Sequence, residues 1–166
     1  MFIPVEVVGV RIEMPSNQPI VLLKELDGSR FLPIWVGAVE ATAIAFAQQG
    51  LEPPRPLTHD LIREILESAD LILTAVHITE LRDGVFYSEL QLRNSEGELP
   101  VISSRPSDAL AIALRTSSNI LVDSELLDKA GIEIPEQSAG GSEAQDGELE
   151  AFREFLDQIN PEDFAG

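Results

Sequence analysis

Five polar residues, Glu40, His59, Asp60, Arg105 and Asp108, with Arg55 and Arg115 as further cations, are the set in this chain best suited to acid–base chemistry on a charged substrate. Cleaving a phosphodiester needs a group that activates water and positive charge on the developing phosphorane. Carboxylates supply part of this when they hold one or two divalent ions. On this reading Glu40, Asp60 and Asp108 hold Mg²⁺ or Mn²⁺, His59 moves a proton, and Arg55 and Arg105 grip phosphate, Arg105 as a planar fork. Each acid has an equally good structural explanation. All three fall where a helix begins, and a carboxylate there meets free backbone N–H groups and the positive dipole end. His59 follows the stiff connector Pro53-Pro54-Arg55-Pro56, which predicts exposure. His77 lies inside a strand, on the opposite parity to Val76 and Ile78, and reads as a solvated strand position. Arg115 reads as a cap on the carbonyls at the end of its helix. The chain has no glycine-rich phosphate loop and no serine elbow, which argues against ATP-driven chemistry and serine hydrolysis.

The element that must place Arg105 and Asp108 starts at Ser104-Arg105-Pro106-Ser107-Asp108. Residues 109–114 carry no polar side chain, so the spacing predicts a helix buried on nearly every side. Pro106 suits its first position, which puts Asp108 at the third. Upstream, alternation predicts strands over residues 3–13, 20–26 and 30–36, then a helix over 38–49 that follows Gly37 and places Glu40 near its third position. Thr58 is expected to cap a helix over 59–68 whose apolar face is Leu61, Ile62, Ile65 and Leu66. Strands are expected over 71–81, 85–93 and 99–103, a short one over 120–122, and a short helix over 124–130.

Two stretches of this plan match each other. Asp27-Gly28, Leu32-Pro33 and Glu40 recur as Glu96-Gly97, Leu99-Pro100 and Asp108 at offsets of 69, 67 and 68 residues. The pattern predicts an internally duplicated β-β-β-α unit and an α+β fold, with mixed or antiparallel sheets around buried helices. Two such units packed about a local two-fold would bring the acids Glu40 and Asp108 to one cleft.

The chain has 166 residues, enough for one domain with an appendage. Residues 1–135 make the body, 136–147 a Ser-, Gly-, Ala- and Glu-rich linker, and 148–166 an acidic tail helix with Leu149, Phe152, Phe155, Leu156 and Ile159 on one face. That short helix needs a surface: the body, a second subunit or a protein partner. There is no cysteine, which excludes disulfides and thiolate catalysis. No run reaches the ~20 apolar residues of a membrane span, and the start of the chain lacks the basic region of a signal peptide, so the expected location is cytoplasmic. Net charge is −18, of which nine acids and one base from Glu136 onward contribute −8. The −10 on residues 1–135 argues against tight binding to duplex and favours short or single-stranded nucleic acids.

Three blocks in order carry a resemblance: Leu32-Pro33-Ile34-Trp35-Val36-Gly37-x-x-Glu40-Ala41, then Arg55-Pro56-x-Thr58-His59-Asp60-Leu61, then Ser104-Arg105-Pro106-Ser107-Asp108-Ala109. Over residues 1–135 the chain resembles the bifunctional nuclease family, small bacterial and plant proteins described as cleaving both DNA and RNA. The resemblance implies an α+β fold, nuclease activity, a homo-oligomer, typically a dimer, and motif roles for Glu40, Arg55, His59, Asp60, Arg105 and Asp108. The acidic tail departs from the family. The expected function is therefore a metal-assisted, sequence-nonspecific nuclease. The alternative is a regulatory or protein-binding module whose polar set is caps and ion pairs and whose tail docks on a partner. Convergence of Glu40, Asp108 and His59 favours the first, and acids spent on their own helix ends favour the second.

Overall fold

A computed structural model describes residues 1–134, and the linker and tail helix expected from the sequence lie outside them. The elements run β1 (Phe2–Glu13), β2 (Gln18–Glu25), β3 (Arg30–Trp35), α1 (Ala38–Gln48), α2 (Thr58–Ser68), β4 (Ile72–Arg82), β5 (Val85–Asn94), β6 (Gly97–Glu98), β7 (Ile102–Ser104), α3 (Pro106–Thr116), β8 (Asn119–Asp123), α4 (Ser124–Ala130) and β9 (Ile132–Glu133). The fold is α+β, as expected.

β1, β2 and β3 form an antiparallel meander that leads into α1. β4, β5 and β7 form a second antiparallel meander that leads into α3. This shared order is what the repeat in sequence requires of the fold, and the duplication itself rests on the sequence offsets. The β4–β5 turn is Asp83-Gly84, both at positive φ, the tight hairpin geometry that Asp-Gly favours. Of the expected strand over 99–103 only residues 102–103 are strand, as part of β7, and β6 ends before residue 99. Pro100 between them has no N–H to give a ladder.

β8 joins the halves. It lies parallel to β4 and antiparallel to β1, so one mixed nine-stranded sheet forms, ordered β6-β5-β4-β8-β1-β2-β3-β9 with β7 also on β5. The main core holds Val21, Leu23, Leu32 and Ile34 of the first half with Val76, Ile78, Leu90 and Leu92 of the second. α3 lies deepest, with Ala109, Leu110, Ala111, Ile112 and Ala113 all buried, as its composition demands. Burying a Leu or Ile side chain contributes about 1.5–3 kcal/mol, so a polar residue here would be costly.

α2 sits on α3 with a different face than the one expected. Leu61 and Ile65 are exposed, while His59, Ile62 and Leu66 turn inward at i, i+3 and i+7. That stripe explains why His59 is buried at 7% exposure, contrary to the expectation from its connector. The helix also starts one residue earlier than expected: Leu57 is the N-cap and Thr58 the first helical residue. His77 is half-buried, not solvated. Its ring stacks on Phe2 with centroids 4.1 Å apart, and burial holds its imidazole below the usual histidine range against the pull of Glu89.

Candidate active site

α3 is entered from β7, which is tied down just before the site. The Ser88 hydroxyl donates to the Ser104 carbonyl at 2.7 Å and lies 2.9 Å from the Ser104 hydroxyl. The next residue, Arg105, is the N-cap of α3, Pro106 is its first residue and Asp108 its third. α1 begins the same way on its own side of the core, with Gly37 as N-cap and Glu40 third. The Gly37 backbone (φ −70°, ψ 159°) suits any residue, so glycine is there for space. A Cβ on it would stand 2.3 Å from the Glu40 Oε2.

The two helix starts meet at one guanidinium. Arg105 Nε donates to Asp108 Oδ2 at 2.8 Å, and Nη2 reaches Asp108 Oδ1 at 3.1 Å. The same Nη2 lies 3.0 Å from Glu40 Oε1. This leaves Nη1 without a partner among the described residues, on a side chain that is 65% exposed. His59, from the second position of α2, places Nε2 2.9 Å from Asp108 Oδ1. Glu40, His59, Arg105 and Asp108 therefore form one cluster drawn from three helix N-termini. Beside it a cavity of about 230 Å³ opens between Trp35, Gly37, Val85, Phe86 and Arg105.

Burial works to raise the Asp108 carboxyl, but hydrogen bonds from Arg105 and His59 overcome it and hold the group below the usual carboxylate range. The Asp108 hydrogen bonds raise the Arg105 guanidinium further, with Glu40 adding to them. An ionised carboxylate only accepts, so the His59–Asp108 bond carries its proton on Nε2. In neutral imidazole Nδ1 is then the basic nitrogen.

Asp60 and Arg55 stand apart from this cluster. Asp60 Oδ2 accepts the Leu57 N–H at 2.9 Å, half of a capping box, since Leu57 has no side-chain acceptor to return the bond. Its Oδ1 accepts from Arg115 Nε at 2.6 Å. Burial works against the Asp60 carboxylate, and Arg115 with the Leu57 N–H outweighs it to hold the group low. Arg115, only 4% exposed, also donates to the Ala111 carbonyl at 2.9 Å, so the expected carbonyl cap is one of its two bonds. Arg55 is exposed in its connector and makes no ion pair with the cluster among the described residues.

The three acids expected to hold a metal do not stand as a ligand set. No group of three or more His, Asp or Glu side chains among the described residues could hold a metal ion. Glu40 and Asp108 share a centre, but the Arg105 guanidinium lies there. The sequence places Gly37 only just before α1, includes Ser104 in the motif without a role, and gives no role to Ser88. A glycine three residues before a carboxylate was the available signal for the first, and nothing local marks the serines.

The bifunctional nuclease domain model matches residues 21–135. The chain is 48% identical over 163 residues to an uncharacterized protein of Mycobacterium tuberculosis, covering 96% of each. It is 28% identical over 136 residues to bifunctional nuclease 1 of Oryza sativa subsp. indica, 80% of this chain and 41% of that one. It is 31% identical over 117 residues to the bifunctional nuclease of Oryza minuta, 69% of this chain and 35% of that one. The matched span holds α1, α2 and α3 with every residue of the cluster, and by that match the chain belongs to the bifunctional nuclease domain family.

Proposed function

We propose that this chain hydrolyses phosphodiester bonds of DNA or RNA without sequence preference, at the cluster of Glu40, His59, Arg105 and Asp108. The observation that carries this reading is the convergence of Asp108 and Glu40 on one arginine, with His59 bonded to the same Asp108. Glu40 and Asp108 fix the guanidinium plane, and Nη1 remains to donate to a non-bridging phosphate oxygen. His59 Nδ1 takes a proton from the attacking water while Nε2–H stays on Asp108, which stabilises the imidazolium that forms. The water oxygen bonds to phosphorus, the bond to the leaving oxygen breaks, and the imidazolium returns its proton to that oxygen. The family relationship supports this reaction class. The charge of −10 on residues 1–135 favours short or single-stranded substrates.

Mg²⁺ or Mn²⁺ assistance belongs to this proposal as a condition to test. Arg105 lies between the two acids, and its guanidinium supplies the positive charge in these steps. One observation favours a second reading, a regulatory or protein-binding module. Two carboxylates facing one guanidinium leave the cluster at −1 while His59 is neutral, which repels phosphate. The experiment compares wild type with Glu40→Ala, His59→Ala and Asp108→Ala on labelled DNA and RNA, in Mg²⁺, Mn²⁺ and EDTA. Loss of cleavage in all three variants supports the site. Equal cleavage by all four proteins points to a contaminant and ends the assignment.

A further inference from the structure

Residues 20–23 of β2 and 31–34 of β3 are buried on both faces of the sheet. Val21, Leu23, Leu32 and Ile34 face the main core. The alternate residues Ile20, Leu22 and Phe31 face the other way and form a separate cluster with Ile134, flanked by Trp35 and Ile132. Ile20 is 0% exposed on this far face. A strand buried on both sides needs a layer on each. The helices give it on the first side. On the second, the cluster includes Ile132 and Ile134, and Ile134 is the last described residue.

We propose that residues 148–159 of this chain's own tail dock on this far face of β2 and β3. The apolar positions Leu149, Phe152, Phe155, Leu156 and Ile159 match such a strip, and Ile134 delivers the chain to it. A flexible segment as long as residues 135–147 spans roughly 20 Å, which reaches any point on two short strands. Charge selects the same face. The tail is net −8 from Glu136 onward and the body net −10, so most of the surface repels it. Across β1 and β2 the far face carries Arg11 and Lys24 against Glu6 and Glu13, a neutral patch. Gly9 lies opposite Leu22 in that ladder, and the Arg11 guanidinium lies over it, with Nη1 3.0 Å from where a Cβ would stand. The proposal does not depend on nuclease activity.

Trp35 is the only tryptophan and lies in this cluster, so its emission reports the cover. The experiment measures Trp35 emission and acrylamide quenching in the full chain and in Phe152→Asp/Phe155→Asp. Docking is expected to give a red shift and faster quenching in the variant, with the body's melting midpoint retained. Phe155→Ala is expected to give a smaller shift of the same sign, which preserves the test if the double variant fails to fold. Glu154→Gln, on the acidic face, is expected to leave the emission unchanged. Unchanged emission in the apolar-face variants would overturn the proposal, as would an equal shift from Glu154→Gln. Wild-type emission that shifts red on dilution would instead assign the cover to another copy's tail and overturn docking in cis.

Discussion

α2 and α3 each carry an aspartate at the third helical position, yet Asp60 and Asp108 are used in opposite ways. Asp60 spends one oxygen on the Leu57 N–H of its own helix and the other on the buried Arg115. Asp108 makes no bond to its own N-cap N–H and gives both oxygens to Arg105 and His59. Glu40 at the start of α1 follows the Asp108 pattern, with Arg105 as its ion-pair partner. The difference lies in what precedes each acid. A leucine N-cap leaves the backbone N–H to be satisfied by the third residue. The N-cap of α3 is an arginine whose side chain turns back onto the aspartate. A carboxylate at a helix start is thus no guide to function until its partners are known.

The largest expected effect that separates the two aspartates comes from their neighbours. His59→Ala is expected to cut cleavage of labelled single-stranded DNA by about 10²–10⁴-fold, the usual contribution of a positioned acid–base group. Its far-ultraviolet spectrum should remain that of the folded protein. Asp60→Ala is expected to do the reverse. It leaves Arg115 buried without its counter-ion, which costs about 3–5 kcal/mol in a urea melt, while the folded fraction cleaves as wild type does.

Acid sharpens the same comparison. Both carboxyls are held below their ordinary value, so each contributes stability that is complete above its unfolded value and lost as pH falls toward its folded one. Thermal unfolding followed downward from about pH 5 is expected to show falling stability, with a shallower acid limb in Asp60→Asn. The smallest effect is expected from Gly37→Ala. The new Cβ pushes the Glu40 carboxylate off Arg105 at little cost in stability, because a flexible side chain yields and the backbone fits alanine. Cleavage should fall by less than in His59→Ala, as read from initial rates.

Much of this arrangement was legible locally. Pro106 fixed the start of α3 and thereby the place of Asp108, the run over 109–114 fixed its burial, and an offset of 68 residues paired Glu40 with Asp108 in sequence. What escaped was set by partners far away in the chain. The burial of His59 follows from which stripe of α2 meets α3, and two stripes were available because Leu61 and Ile65 are also apolar. The Asp60–Arg115 pair spans 55 residues, and no periodicity encodes it. The insertion of β8 between β4 and β1 depends on a parallel crossover that a short apolar run does not announce. β9 is two residues long and reads as loop.

The central claim is that Asp108 serves chemistry and Asp60 serves the fold. It is tested most directly by measuring cleavage rates of Asp108→Asn and Asp60→Asn beside wild type on one labelled single-stranded DNA, well below every melting midpoint. The expected result is a loss of about two orders of magnitude or more for Asp108→Asn and a rate near wild type for Asp60→Asn. Equal rates for the two variants, whether both retained or both lost, would contradict the account.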